Sequence, residues 1–240
     1  MDAQVLEFVV SNPTTSNYDI IRRVYSDFSC FPPTIAFVTG NIGKLRVGLL
    51  LFTKLRNQEM KSIFNELYGS NKFRLISHNI DLEEIQGSPV EIATRKCQAA
   101  VLEVGGAVVI EDTSLCFHAL GDMPGPYIKW FVDHTGIDGL VQMLNNFSNQ
   151  SAHALCCMAF CAGPGHPVIV FEGRVDGQIV LPRGDRAFGW DPIFEPHGSS
   201  LTLAEMDGPA KDKVSHRRNA IELLGSYLSD HYLELIDFIT

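Results

Sequence analysis

The chain alternates between short apolar runs and longer stretches in which apolar residues recur every three or four positions. Thr34-Ile35-Ala36-Phe37-Val38 is a continuous β-prone run, the pattern of a strand buried on both faces. It passes through Thr39-Gly40-Asn41 into a stretch where Leu45, Leu49, Phe52 and Leu55 fit one helical stripe. Residues 72–77 read as a second strand. Ser88-Pro89-Val90-Glu91 predicts a helix start: Ser at the N-cap, Pro at the first helical position, Glu three residues after the cap. That helix carries Lys96 and ends near Gly105-Gly106. Ala107 to Ile110 predicts another buried strand, delivering Glu111 and Asp112 at its C-terminal end.

Farther on, Gly136 to Phe147 reads as helical, and Ala154 to Cys161 and Val168 to Val175 as paired strands joined by Gly163-Pro164-Gly165-His166-Pro167. Ser215 is suited to cap a last helix through Leu228. Strands alternating with helices predict an α/β class, with a mixed sheet and flanking helices. Residues 1–33 differ: Ser11 to Asn17 has loop chemistry, Pro32-Pro33 closes the segment, and Ile20, Ile21, Val24, Tyr25 and Phe28 suit a short docked helix. This N-terminal extension is assigned no chemistry, and residues 34–240 are expected to form one catalytic domain.

The composition, 45% hydrophobic and 20% charged over 240 residues, is that of a globular chain with length enough for a sizeable core. No apolar run reaches the roughly 20 residues of a membrane helix. The first twenty residues hold Asp2, Glu7 and Asp19 but no Lys or Arg, so neither a secretory signal nor a mitochondrial presequence is expected, and the cytoplasm is the default. A net charge of −9 argues against general nucleic-acid binding. The six cysteines include no Cys-x-x-Cys pair, and reduced, buried thiols are expected over disulfide or zinc chemistry.

The polar positions then suggest chemistry. At the corner where strand becomes helix, Thr39-Gly40-Asn41-Ile42-Gly43-Lys44 would point backbone N–H groups at a phosphate, with Lys44 one turn in. It lacks Walker spacing, and a capped glycine turn with a surface lysine is the plainer alternative. Glu111-Asp112-Thr113 follows a strand with no other charge, and buried acids there are costly unless they hold a cation or cap a helix over Thr113–Phe117. Hard carboxylate oxygens suit Mg²⁺ or Mn²⁺. A second acid is available in Asp81-Leu82-Glu83-Glu84, where spacing does not separate Glu83 from Glu84. Phe188-Gly189-Trp190-Asp191-Pro192 offers an aromatic face, a glycine for close approach and an acid locked before proline. Ser215-His216-Arg217 adds donors ahead of the last helix. His216 alone would also suit a catalytic base, but no nucleophilic Ser or Cys motif accompanies it.

Together with Pro124-Gly125-Pro126-Tyr127-Ile128-Lys129, these motifs, in this order, closely resemble the inosine triphosphate pyrophosphatase (Ham1-like) family over roughly Thr34 to Leu228. The resemblance implies an elongated mixed sheet in two lobes around a cleft. It also implies Mg²⁺-dependent cleavage of ITP, dITP and XTP to monophosphate and pyrophosphate, and a homodimer. It assigns Lys44, Lys96, Lys129 and Lys211 to the triphosphate, with Thr39, Gly40, Asn41 and Thr113 beside it. Glu84 and Asp112 go to the metal and, with Lys44, to catalysis, Asp112 being the base that prepares water. Phe188, Gly189, Trp190, Asp191, His216 and Arg217 go to the base. Tyr127 and Trp130 are expected in the core. A house-cleaning pyrophosphatase for pyrimidine or modified bases, or a non-catalytic nucleotide-binding module, are the alternatives.

Overall fold

The computed structural model describes residues 33–40, 62–66, 73–186 and 189–239. The predicted N-terminal extension and the helical stripe from Leu45 to Leu55 lie outside them. A seven-stranded sheet organises the described residues: β1 (Thr34–Gly40), β2 (Arg74–Ile80), β3 (Val108–Phe117), β4 (Met123–Gly125), β5 (Ser151–Cys161), β6 (Ile169–Ile179) and β7 (Phe194–Pro196). Their order is β2-β1-β3-β5-β6-β7, with β4 paired to β3. β1 runs parallel to β2 and β3, whereas the β3–β5, β5–β6 and β6–β7 pairs are antiparallel. The sheet is therefore mixed, as the sequence predicts.

Alternation along the strands sorts side chains into two layers. Ile35 and Phe37 of β1 join Met158, Phe160, Ile221 and Leu224 in one cluster. Ala36 and Val38 join Ile110, Ala93, Cys97 and Ala100 in another. The helices supplying these layers are α1 (Pro89–Val104) and α4 (His216–Asp230). Both faces of β1 are covered, which accounts for its uninterrupted apolar run. A third cluster, with Leu115, Phe117, Ile128, Leu140, Ala154 and Phe194, packs the far ends of β3 and β5 against α2 (Ile128–Gln142). Two short helices, α3 (Gly208–Lys213) and α5 (Tyr232–Ile239), flank α4 in the chain.

α1 begins as predicted. Ser88 Oγ accepts from the Glu91 N–H at 3.3 Å, and the Glu91 carboxylate accepts from the Ser88 N–H at 2.8 Å. Such a cap stabilises a helix by about 1 kcal/mol. Gly105 ends it in the left-handed conformation, φ 71°.

Two elements and one side chain depart from the sequence reading. β3 does not stop at Ile110 but continues through Glu111 and Asp112 to Phe117. β5 pairs with it along that whole length, so the two acids lie in mid-strand and the alternative of Asp112 capping a helix does not hold. α2 starts at Ile128, and Gly136, at φ 68°, is a break inside it rather than its beginning. Trp130, expected in the core, is 52% exposed.

Candidate functional site

β1 and β2 run parallel and end together, Gly40 pairing with Ile80. The loop after β2 carries Glu84. α1 returns the chain to β3 on the other side of β1, carrying Lys96 on the way. In such sheets the carboxyl ends of parallel strands flanking a change of direction are where ligands bind. Thr39 and Gly40 end β1 there, two residues beyond the apolar run that predicts the strand. Asn41, Lys44 and Phe188 lie outside the described residues.

The centre of the site is an ammonium shared by two carboxylates. Lys96 Nζ lies 2.7 Å from Glu84 Oε2 and 3.0 Å from Asp112 Oδ1. The Lys96 side chain is 12% exposed and Asp112 15%. Burial pulls this ammonium toward neutrality, but Asp112 and Glu84 together more than offset it, and its pKa is held above the ordinary lysine value. Ala93, Cys97 and Ala100 seat α1 closely on the sheet, which is what brings Lys96 down to Asp112. Lys129, in the first turn of α2, approaches Glu84 Oε1 at 3.9 Å. The turn before it is tied down by Tyr127, whose hydroxyl accepts from Gly87 N–H and donates to Gly87 O at 3.0 and 3.2 Å. Of the neighbouring acids it is Glu84 that faces the cations. Glu83 is exposed and makes no ion pair among the described residues.

The second half of the site is built around α4. Ser215 caps it, and its first residues, His216 and Arg217, are both buried. They sit close to β6 because Gly173 has no side chain: a Cβ there would fall 2.0 Å from the His216 carbonyl oxygen and 2.3 Å from the Ala220 nitrogen. The His216 ring stands 5.5 Å from that of Trp190, tilted by 37°. Gly189 turns the chain into Trp190 at φ 50°, a conformation glycine adopts without a Cβ penalty. Trp190 also packs edge-on against Phe194. Lys211, from α3, donates to Asp191 Oδ2 at 2.5 Å.

Arg217 does something the motif does not foretell. Its Nε donates to Glu111 Oε1 at 2.9 Å, with the two side chains only 9% and 3% exposed. Thr113 donates to the same Glu111 oxygen at 3.0 Å. Glu111 is thus a site residue that sequence reasoning missed as such. The available signal was an acid beside Asp112 with no surface to reach, but its partner lies 106 residues away.

The five described cysteines, Cys97, Cys116, Cys156, Cys157 and Cys161, are buried and unbridged, and Cys30 lies outside the described residues. Burial pushes the thiols of Cys97, Cys116 and Cys157 up to about 12, well above the ordinary thiol value. No helix among the described residues is long and apolar enough to cross a membrane.

The chain is 48% identical over 196 residues to an inosine triphosphate pyrophosphatase of Mycosarcoma maydis, covering 82% of this chain and 95% of that protein. It is 42% identical over 197 residues to an inosine triphosphate pyrophosphatase of Candida albicans, covering 81% and 98%. Among solved structures, a Ham1 protein from Coxiella burnetii superposes with a TM-score of 0.68 at 26% identity, covering 82% of this chain and 99% of that one. The Staphylococcus aureus Ham1 protein gives 0.65 at 28% identity, with the same coverage. The Ham1 family model matches residues 35–227, from the first buried strand into the last turn of the helix that carries His216 and Arg217, and the chain belongs to the Ham1 family.

Proposed function

We propose that this protein hydrolyses the triphosphates of non-standard purine nucleosides (ITP, dITP and XTP) to the monophosphate and pyrophosphate, removing them from the nucleotide pool. The observation that carries the reading is Lys96 held between Glu84 and Asp112, with Lys129 beside them and a second group in which Trp190 packs against His216 and Arg217 is buried on Glu111. A triphosphate needs cations along its length and a flat, polar-edged slot for its base, and these two groups of residues supply both.

The donor set fits a hard divalent cation. Glu84 and Asp112 are two carboxylates close enough to share one ammonium, and both offer the hard oxygen atoms such an ion prefers. They are the residues that would hold Mg²⁺, or Mn²⁺ in its place. When bound, such an ion supplies charge neutralisation on the triphosphate oxygens. Asp112 orients the attacking water and takes its proton. Water adds at the α-phosphorus, the α–β anhydride bond breaks, and its electron pair leaves with pyrophosphate. Lys96, Lys129, Lys211 and, outside the described residues, Lys44 hold the phosphate oxygens, with Thr39, Gly40, Asn41 and Thr113 beside them. Trp190 and Phe188 flank the base, and Asp191, His216 and Arg217 meet its edge.

The same reading makes the protein a cytoplasmic homodimer without nucleic-acid partners, in keeping with its net charge of −9. Residues 1–33 carry no chemistry in it. Pyrophosphate release from ITP, XTP, dITP, GTP, ATP and dUTP, with Mg²⁺ and after chelation, tests the whole proposal. Turnover confined to ITP, XTP and dITP and lost on chelation is expected. A preference for dUTP would favour a pyrimidine enzyme, and no turnover at all would leave a binding module.

A further inference from the structure

A second cluster of metal-ligating side chains lies away from this site. His118, His153 and Asp176 each place a ligand atom within 4.8 Å of the others. Strand register brings them together: His153 of β5 pairs with Cys116 of β3 on one side and with Asp176 of β6 on the other. His118 follows Cys116 by two positions, in the turn that leaves β3. Cys116 lies four residues beyond Asp112 along β3, about 13 Å at the usual rise of a strand. The two sites are therefore separate.

His118 Nε2 and His153 Nδ1 face each other at 2.9 Å. Two neutral imidazoles in that position can share one proton, or they can offer both lone pairs to a cation. A carboxylate stands on each side. Asp176 is one, held by Arg174 at 2.6 Å, and Asp122 is the other, with Oδ1 3.9 Å from His153 Nδ1. A cavity of about 660 Å³ opens beside them, lined by His153, Asp122, Cys116, Glu172 and Arg174 among others, so an ion and its waters have a way in. Two adjacent strands and the turn that leaves a third hold the donors, and a bound ion would tie them together.

We propose that His118, His153 and Asp176 form a site for a borderline transition-metal ion of the Zn²⁺ type, with the cavity side left for water or Asp122, and that this site is structural rather than catalytic. Two imidazole nitrogens and one carboxylate are donors suited to Zn²⁺, Co²⁺ or Ni²⁺, whereas Mg²⁺ prefers oxygen. Metal–nitrogen bonds of about 2.0–2.1 Å in a tetrahedron need the two rings to part by only a few tenths of an ångström. Arg174 competes for Asp176 and must yield or share it.

The test uses the full-length protein, stripped of metal and then held in excess Mg²⁺. Titration with Zn²⁺ by calorimetry should find one site per chain. Co²⁺ should give the visible absorption of a four- or five-coordinate nitrogen–oxygen site. Zn²⁺ should raise the melting temperature of the wild-type protein. His118→Asn and Asp176→Asn, both at positions with solvent access, should weaken Zn²⁺ binding at least tenfold, abolish the melting shift and leave ITP turnover in Mg²⁺ unchanged. Absence of stoichiometric Zn²⁺ binding would overturn the proposal, and so would binding of undiminished affinity in both variants. Neither result bears on the pyrophosphatase reading, because turnover in Mg²⁺ is read separately.

Discussion

Arg217 is anchored on Glu111, Nε to Oε1 at 2.9 Å, in a position that solvent hardly reaches. The bond fixes the plane of the guanidinium, and with it the direction in which the remaining N–H groups point. For a pocket that must tell a 6-oxo purine from a 6-amino purine, that direction is the discriminating quantity. Adenine presents a donor where inosine presents an acceptor, and a site built on such hydrogen bonds rejects the wrong partner by about 10⁴ or more. Arg217→Ala is expected to lower kcat/KM for ITP and narrow its lead over ATP. It should also destabilise the protein by about 3–5 kcal/mol, since it takes the guanidinium from a buried carboxylate. Glu111→Gln should narrow the ITP-to-ATP ratio in the same direction by a smaller factor. Kinetics on ITP, GTP and ATP with parallel urea melts check this. Equal loss for ITP and ATP in Arg217→Ala would reduce Arg217 to a structural residue.

The pair of carboxylates on Lys96 separates into roles that substitution can rank. Asp112→Asn keeps the shape but loses charge and basicity, and kcat should fall by about a hundredfold or more, the scale of general-base and metal effects. Glu84→Gln should reduce turnover and demand more Mg²⁺ for half-maximal rate. Glu83→Gln should do neither, since it is Glu84 and not Glu83 that pairs with Lys96 and Lys129. Mg²⁺ titrations of the three variants are the measurement, and a Glu83 effect exceeding that of Glu84 would reverse the assignment of the metal ligand.

Where the sequence was legible, the signal was local. β1 announces itself by an apolar run, and α1 by a capping box whose partners are three residues apart. β3 was cut short because Glu111, Asp112, Thr113 and Ser114 interrupt its apolar run. What keeps them in a strand is pairing with Met158, Cys157, Cys156 and Leu155 of β5, chosen by tertiary structure. α3, six residues long and capped by Asp207, is too short for a periodic signal. The Lys96, Glu84 and Asp112 grouping came from family resemblance, not from spacing, because a helix and a loop bring it together on the strand. The Arg217–Glu111 pair was invisible for the same reason.

Lys211 and Asp191 form a further ion pair, at 2.5 Å, joining the phosphate-binding and base-binding assignments. Lys211→Ala should raise KM for ITP, XTP and ATP by similar factors, since a phosphate contact does not read the base. Asp191→Asn should instead alter the ranking of bases, with a smaller effect on the poorest substrates. A base-dependent change in Lys211→Ala, measured across the same nucleotide panel, would exchange the two roles.

Gly173 tests whether the position of the base pocket is set by the sheet beneath it. A methyl group there would lie 2.0 Å from the His216 carbonyl oxygen and 2.3 Å from the Ala220 nitrogen, both backbone atoms of α4. A flexible side chain could swing aside, but a helix backbone cannot, so α4 must lift off β6 and take His216 and Arg217 with it. Overpacking of this kind typically costs about 1–3 kcal/mol. Gly173→Ala is therefore expected to lower the midpoint of urea unfolding and to reduce kcat/KM for ITP. The Mg²⁺ concentration for half-maximal rate should stay near the wild-type value, because Glu84, Lys96 and Asp112 rest on α1, β3 and the loop after β2. Loss of ITP-over-ATP discrimination together with an unchanged Mg²⁺ requirement would place the defect in the base pocket alone. Unaltered melting and turnover in Gly173→Ala would show that α4 does not owe its position to this contact.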